Sequence, residues 1–128
     1  MGGRPVEVGG VFPLKTGFGW IEVGGRRYDH DIIIHTDGSV SRRKKKASKE
    51  MKEDYGHTPL SEHELVFLRD ENPDVVYIGT GQYGSLPLTP GAEKILSAFS
   101  AVIMPTGDIL PPLDKEERSH VAILHITC

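Results

Sequence analysis

The chain has 128 residues, of which 38% are hydrophobic and 26% are charged. These proportions are ordinary for a globular protein and exclude a disordered or fibrous chain. The formal net charge of −3 gives no overall attraction to nucleic acid or to anionic lipid, so any such attraction must come from a local patch. The length fits a single domain over residues 1–128, in which the glycine-rich residues 1–10 are expected to be flexible.

Cys128 is the one cysteine of the sequence, and a single thiol cannot form an intramolecular disulfide. This cysteine usage is typical of a reducing compartment. The start of the sequence lacks the basic segment and the apolar run of a secretory signal. No apolar stretch approaches the roughly 18 residues that a membrane helix requires. We therefore expect a cytoplasmic protein without a membrane segment.

The first third of the chain is typical of β structure. Strands are predicted over residues 18–23, 26–35 and 39–42. The pairs Gly24–Gly25 and Asp37–Gly38 indicate the tight turns between these strands. The isoleucine run Ile32–Ile34 is too apolar for a surface strand, so both of its faces are expected to be covered.

A basic stretch follows the predicted strands. Seven of the fifteen lysines and arginines lie between Arg42 and Lys52, and five of them form the basic run, Arg42–Lys46. The stretch lacks apolar periodicity, which indicates a surface loop or an irregular helix. The residues that follow are mostly acidic, and the aromatic side chains that bind single-stranded nucleic acid are absent nearby except for Tyr55. We therefore do not expect nucleic-acid binding.

The second half alternates apolar strands with amphipathic helices. Strands are predicted over residues 75–78, 101–104 and 121–126. A helix is predicted over residues 61–72 because Ser61 and Glu64 form a capping-box pattern. A second helix is predicted to begin at Thr89–Pro90. Pro111–Pro112 forbid a long helix after the strand at 101–104 and leave at most a short one over residues 113–118.

Strands that alternate with helices predict parallel pairing with right-handed crossovers. Joined to the β structure of the first third, this pattern predicts a sheet that is mixed rather than purely parallel. The fold class is therefore α/β: a three-layer single domain with a central mixed sheet, an additional β-hairpin, and helices packed on the sheet.

Five stretches of this sequence also occur together, in the same order, in one known family. They are Tyr28–Val40, Arg42–Lys45, Tyr55–His57, Ile78–Gly81 and His125–Cys128. From about Phe18 to Cys128 the chain resembles domain-of-unknown-function family 498, whose relatives include the adipogenesis-associated domain protein and a mitochondrial assembly factor of respiratory complex I. The resemblance implies a three-layer α/β fold with a mixed sheet and a β-hairpin, and it implies no established reaction. Members of that family carry a longer helix where this chain has residues 106–112, so the resemblance does not support a third helix here.

The loop Gly79–Gly84 matches the G-x-G-x-x-G pattern that lets a backbone approach a pyrophosphate. A dinucleotide site is not expected, because Gly84 lies outside any predicted helix and no acid stands at a strand end about 20 residues further on. The chain is also short for the dinucleotide-binding fold. No cofactor is therefore expected, and the simplest alternative is a glycine turn without a ligand.

A site for a simpler ligand, a small anion, is compatible with the same loop. Free N–H groups at the carboxyl edge of a parallel sheet commonly bind small ligands. If the basic run folds over that edge, the loop and the run together form a site for a small anion. Asp31, at the edge of an apolar strand, is either neutralised there or lines the same pocket. The candidate ligand-binding residues are Asp31, Arg42, Lys45, Gly79, Gly81 and Gly84.

No set of residues predicts a particular reaction. The histidines lack metal-binding spacing, so no metal is expected. His125 and Cys128 would fall on opposite faces of the last strand, which argues against a thiolate–imidazole pair. The leading hypothesis is a non-enzymatic binding or assembly-type domain that acts through a protein partner. The alternative is a small-anion-binding protein, or an enzyme, that uses the Gly79–Gly84 loop and the basic run.

Overall fold

The chain forms two β-sheets in a computed structural model that describes residues 13–128, apart from the side chain of Glu53. The segment predicted to be flexible, residues 1–10, lies outside the described residues. The strands of the smaller sheet are β1 (Lys15–Gly17), β2 (Trp20–Val23) and β3 (Arg26–Tyr28). The strands of the larger sheet are β4 (Ile32–Ile34), β5 (Val40–Arg42), β6 (Val75–Thr80), β7 (Ser100–Met104) and β8 (His120–His125).

The larger sheet has the strand order β5-β4-β8-β6-β7. Strand β6 pairs in parallel with β7 and β8, whereas β4 pairs antiparallel with β5 and β8. The smaller sheet is an antiparallel meander in the order β1-β2-β3. The predicted α/β fold with a mixed sheet is confirmed, and the predicted hairpin is extended by one strand.

The helices of the described residues are short. They are α1 (Lys52–Tyr55), α2 (Leu68–Glu71), α3 (Pro90–Leu96) and α4 (Thr106–Asp114), with 3₁₀ segments over Lys45–Met51 and Glu62–Glu64. As predicted, Thr89 begins a helix: its hydroxyl accepts a hydrogen bond from the N–H of Ala92 at 3.1 Å. No helix of residues 13–128 has the length and apolar character to cross a bilayer.

The larger sheet is covered on both faces, because successive side chains of a strand point to opposite sides. One face of β8 contributes Ala122 and Leu124 to a core that is closed by the smaller sheet and α4. The other face contributes Val121 and Ile123 to a second core, which is closed by the segments of residues 60–71 and by α3. The predicted burial of Ile32–Ile34 on both faces is confirmed, since at most 9% of any of the three residues is exposed.

The predicted strand over residues 26–35 is wrong as one element. It is two strands, β3 and β4, which belong to different sheets. Residues 29–31 carry the chain from one sheet to the other, and there the main-chain carbonyl of Asp31 accepts a hydrogen bond from the Arg43 N–H at 2.9 Å. The predicted strand over 18–23 is also shorter than expected, because Gly19 adopts a φ of +84° in a turn before β2.

The predicted helix over residues 61–72 is broken into a 3₁₀ turn and α2, and its capping box is not formed. The hydroxyl of Ser61 contacts the hydroxyl of Ser48 at 2.6 Å, and the carboxylate of Glu64 binds Arg43 at 2.7 Å. Both capping groups are therefore used in tertiary contacts. The expected end of the helix is confirmed, since Asn72 has a left-handed φ of +43°.

The prediction that Pro111–Pro112 forbid a long helix and leave at most a short one over residues 113–118 is wrong. Helix α4 runs from Thr106 through both prolines. A helical proline deprives the carbonyl four residues earlier of its N–H donor. Those carbonyls belong to Gly107 and Asp108, which are exposed like the prolines themselves, so water can satisfy them. The buried side of α4 is formed by Ile109, Leu110 and Leu113.

Strand β7 was predicted to be buried and is instead exposed. It is an edge strand, and 45% of Ile103 and 38% of Met104 are accessible to solvent. Its apolar sequence resembles that of the buried neighbour β6, which has a strand on each side. Sequence alone does not distinguish an uncharged edge strand from a central one.

Candidate functional site

A cleft of about 570 Å³ lies where β4 begins and β8 ends. We call it the basic cleft, and its polar walls include Asp31, Arg42, Lys45, Lys46, Lys49 and Thr127. Strand β4 pairs antiparallel with β5 and β8, which brings the start of β4 to the ends of both neighbours. The fold thereby places Asp31 beside residues 42–49 and residues 125–127.

The carboxylate of Asp31 accepts hydrogen bonds from three parts of the chain. Its Oδ2 lies 3.0 Å from Arg43 Nη1 and 2.7 Å from His125 Nδ1. Its Oδ1 accepts the N–H of Ile126 at 2.9 Å. Lys45 Nζ approaches Oδ2 to 3.3 Å from the side of the basic cleft. Asp31 is both neutralised and at the wall of the cleft, so the two roles predicted as alternatives occur together.

These contacts keep Asp31 ionised. Burial alone would raise the pKa of its carboxyl, because a charge is costly to desolvate. The hydrogen bond and charge of His125, the N–H of Ile126 and the charge of Lys45 outweigh burial and hold the pKa of Asp31 well below its usual range. An acid that stays ionised does not supply a proton near neutral pH, so Asp31 positions its cationic neighbours instead.

Arg43 is the buried centre of the network, with 3% of the residue exposed. Its guanidinium binds Asp31, the carbonyl of Pro59 at 3.0 Å, and both carboxylate oxygens of Glu64 at 2.7 and 2.9 Å. Glu64 also accepts a hydrogen bond from Ser48. Burial lowers the pKa of Arg43, but the hydrogen bond and charge of Glu64 and the charge of Asp31 raise it overall. One member of the basic run is therefore internal.

The Gly79–Gly84 loop touches His125 on the side away from Asp31. A side chain at Gly81 would come within 2.8 Å of His125 Cδ2, and the backbone there has a φ of +102°. A side chain at Gly79 would meet Thr106 Oγ1 at 2.7 Å. That hydroxyl accepts the Gly81 N–H at 2.9 Å and donates to the carbonyl of His125 at 2.6 Å. The glycines therefore permit close contact between the loop and the end of β8.

The expectation that the loop has free N–H groups is wrong, because the chain itself occupies them. The Gln82 N–H donates to the carbonyl of Thr127 at 2.7 Å. The Tyr83 and Ser85 N–H groups both donate to the main-chain oxygen of Cys128, at 3.1 and 3.0 Å. The Gly84 N–H donates to the carbonyl of Gly81 at 3.3 Å. The loop binds residues 127–128 rather than facing an open pocket.

The sequence-predicted site residues thus divide into two groups. Asp31, Arg42 and Lys45 line the basic cleft together. In the part of the chain that the structure describes, Gly79, Gly81 and Gly84 do not line it; they lie behind residues 125–128. Sequence reasoning included Arg43 as a member of the basic run but missed its internal position, and it did not assign His125 or Lys49 to the site. The available signal was Asp31 itself, because a buried acid next to an apolar strand requires a cationic partner.

Comparisons with solved structures give close matches, whereas no protein-family model and no curated protein matches the chain. The conserved hypothetical protein PH1505 of Pyrococcus horikoshii OT3 is 32% identical, with 89% of this chain and 97% of that chain covered and a TM-score of 0.77. The protein MT938 is 30% identical, with 91% and 99% covered and a TM-score of 0.72. The chain belongs to the same family as PH1505 and MT938.

A third structure shares the fold of this family. It is the solution structure of a Mth938-like domain protein from Bordetella pertussis, which is 23% identical. The alignment covers 98% of this chain and 90% of that one, with a TM-score of 0.52. The names of these three proteins state no reaction. The residues of this chain are therefore the guide to its function.

Proposed function

We propose that the protein binds a small anion in the basic cleft. The observation that supports this most is the charge of its walls. Arg42, Lys46 and Lys49 line one concavity, and none of them forms an ion pair with a carboxylate that the structure describes. Positively charged side chains around a concave surface attract anions more strongly than the same side chains on a flat surface.

Two acids line the cleft, and they do not cancel this charge. Asp31 is committed to Arg43, His125 and the Ile126 N–H. Asp29 is a single carboxylate beside the three cations Arg42, Lys46 and Lys49. A ligand would displace Lys45 from its 3.3 Å contact with Asp31 at small cost, because 41% of the Lys45 side chain is exposed. The buried network then serves as the rigid floor of a cationic site.

The size and the donors of the cleft favour a phosphate-bearing small molecule. A volume of about 570 Å³ lies within the range of small-ligand sites. Arginine can bind phosphate oxygens through two parallel N–H groups, and lysines add point charges. Pyrophosphate is a suitable probe, since it has two such groups and no organic part.

The experiment is calorimetric titration of pyrophosphate into the wild type and into the double variant Arg42→Ala/Lys46→Ala. We expect binding by the wild type, weakened at least about tenfold by the double variant and by a rise in salt. Lys94→Ala is the matched control, because Lys94 is exposed on α3. Absence of binding by the wild type, or equal weakening by the control, would overturn the proposal.

We also propose that the chain is related to domain-of-unknown-function family 498. The support is that the residues carrying the resemblance contact each other: Asp31 binds Arg43 and His125, and Gly81 lies against His125. Stretches far apart in sequence therefore meet around one network. Kinship with that family would suggest the assembly-type role of its relatives.

A second candidate function, assembly with a protein partner, is favoured by the exposed edge strand β7. Natural edge strands are usually protected by charged residues or proline, yet Ser100–Met104 contains neither. We propose a second copy of this chain as the partner, because two uncharged edges can pair without like-charge repulsion. Light scattering should show a dimer for the wild type and a monomer for Ile103→Lys. A monomeric wild type at high concentration would exclude this partner.

A further inference from the structure

On the other side of β4 and β5, three side chains outside the buried network of Asp31 form a hydrogen-bonded relay. The Ser41 Oγ lies 2.7 Å from His35 Nε2, and His35 Nδ1 lies 2.5 Å from Glu71 Oε2. A hydroxyl at Nε2 and a carboxylate at Nδ1 is the arrangement of a serine nucleophile, its general base and an orienting acid. We propose that Ser41, His35 and Glu71 form an esterase site, which goes beyond the proposed anion binding.

The fold explains why these residues meet. Ser41 lies in β5 opposite Ile33, so the hydroxyl and the His35 side chain fall on the same face of the sheet. The turn between β4 and β5 is closed by the Gly38 N–H, which donates to the His35 carbonyl at 2.9 Å. Glu71 is the last residue of α2, which packs on that face.

Glu71 is held independently of the imidazole. Its Oε1 accepts hydrogen bonds from the Thr36 N–H at 3.0 Å and from the Thr36 hydroxyl at 3.2 Å, which leaves Oε2 for His35. Burial raises the pKa of Glu71, but the bonds from Thr36 and His35 lower it overall, so the carboxylate is ionised. The ring of Phe67 meets the His35 ring edge-on at 5.7 Å. The base is therefore fixed in position from two sides.

The relay opens into a cleft of about 540 Å³ with an apolar floor and a cationic rim. Ile33, Phe67 and Ile123 contribute to the floor, and Lys44 and Lys46 to the rim. An apolar floor suits the acyl chain of an ester, and the rim suits a substrate with a negative charge. The substrate class is thus a small carboxylic ester.

Among residues 13–128, β5 is an edge strand of the larger sheet, and its outer edge presents a main-chain donor beside the nucleophile. The hydrogen bonds of Arg43 to Asp31 and of His35 to Ser39 fix the alternation of the β4–β5 ladder. In that alternation Ser41 pairs with Ile33, and the Arg42 N–H points away from β4 at the edge of the sheet. An N–H next to the nucleophile can stabilise the oxyanion that develops on the ester oxygen.

The reaction balances with water as the co-reactant. Ser41 Oγ forms a bond to the acyl carbon while its proton passes to His35 Nε2. The bond between that carbon and the alcohol oxygen breaks, and the alcohol leaves with the proton from His35. Water then attacks the acyl-serine, His35 takes its proton and returns it to Oγ, and the carboxylic acid is released.

The experiment uses p-nitrophenyl butyrate hydrolysis and labelling by a fluorophosphonate, with the labelled residue located by mass spectrometry. We expect labelling at Ser41, and at least about a hundredfold loss of hydrolysis in Ser41→Ala and in Glu71→Gln. Ser39→Ala is the matched control, because the Ser39 hydroxyl bonds Asp37 in the adjacent turn.

The kinetic constants separate a catalytic role from a structural one. Glu71→Gln should lower kcat more than it changes KM. Circular dichroism of each variant checks that the fold is retained. Unlabelled Ser41, or a wild-type rate retained by Ser41→Ala, would overturn the esterase proposal and would leave the pyrophosphate titration unaffected.

Discussion

Asp31 and His125 are 94 residues apart in the sequence, yet their side chains lie 2.7 Å apart between the ends of β4 and β8. This pair joins the first half of the chain to its last strand. Arg43 and the N–H of Ile126 complete the coordination of the carboxylate. The stability of the domain and the shape of the basic cleft therefore depend on the same four groups.

We expect Asp31→Asn to lower the free energy of unfolding by roughly 3 kcal/mol, because it removes one partner of the buried guanidinium of Arg43. The NH₂ group of the new asparagine would also face Arg43, His125 or the Ile126 N–H, all of which donate hydrogen bonds to Asp31. Urea unfolding followed by circular dichroism measures the change. The exposed Asp70→Asn is the control and should cost less than about 0.5 kcal/mol. Equal effects of the two substitutions would contradict the central role of Asp31.

The stability that Asp31 contributes should disappear in acid. Its pKa is lowered by folding, so the unfolded chain takes up the proton first and stability is lost as the pH falls below about 4, the ordinary carboxyl value. The contribution is fully present above that pH. The difference in unfolding free energy between wild type and Asp31→Asn should therefore be constant from pH 6 to about pH 5 and shrink below about pH 4. A constant difference down to about pH 2.5 would refute this linkage.

Gly81 and Gly38 offer a matched pair for the close approach of the loop to β8. Both have a left-handed φ, +102° and +85°, but a side chain at Gly38 would meet nothing within 4 Å. Gly38→Ala should cost about 1 kcal/mol from backbone strain. Gly81→Ala should cost at least about 2 kcal/mol more, because the new methyl group clashes with Cys128 and His125. Thermal unfolding of both variants gives the comparison, and similar losses would mean that the clash is relieved without cost.

Thr89 tests a feature that local sequence predicts well. Thr89→Ala removes the hydroxyl that accepts the Ala92 N–H and should destabilise the domain by about 1 kcal/mol. Thr89→Ser retains the hydroxyl and should cost only a few tenths of that amount. Chemical denaturation of both variants is the measurement. If serine were as damaging as alanine, packing of the threonine methyl group rather than capping would be responsible.

The parts of the fold that sequence predicts correctly are those decided by neighbouring residues. The Thr89 cap, the Gly24–Gly25 turn and the buried isoleucines of β4 need only local chemistry and hydrophobicity. The capping box of Ser61 and Glu64 fails for the opposite reason. Its two side chains satisfy Ser48 and Arg43, and the contact with a buried guanidinium is stronger than a cap on the surface.

The candidate site also combines features that the sequence predicts with features that it does not. The sequence indicates that Asp31 needs a cation and that the basic run contains several, but it does not indicate that Arg43 is the internal one. That choice depends on the pairing of the Arg43 main chain with Asp31, which leaves the Arg43 side chain buried against the carboxylate while Arg42 and Lys44 stay exposed. The relay of Ser41, His35 and Glu71 cannot be predicted from local sequence either, because Glu71 comes from a helix more than thirty residues away.

Strand β8 separates β4–β5 from β6–β7 in the larger sheet, so without it the two halves share no ladder. During synthesis on the ribosome, a hairpin and a parallel pair can form early, but neither can be joined to the other until residues 120–125 have emerged. Until then the apolar edges of β4 and β6 are open to other chains. Nascent chains of this protein should therefore depend on chaperones most strongly just before β8 is released.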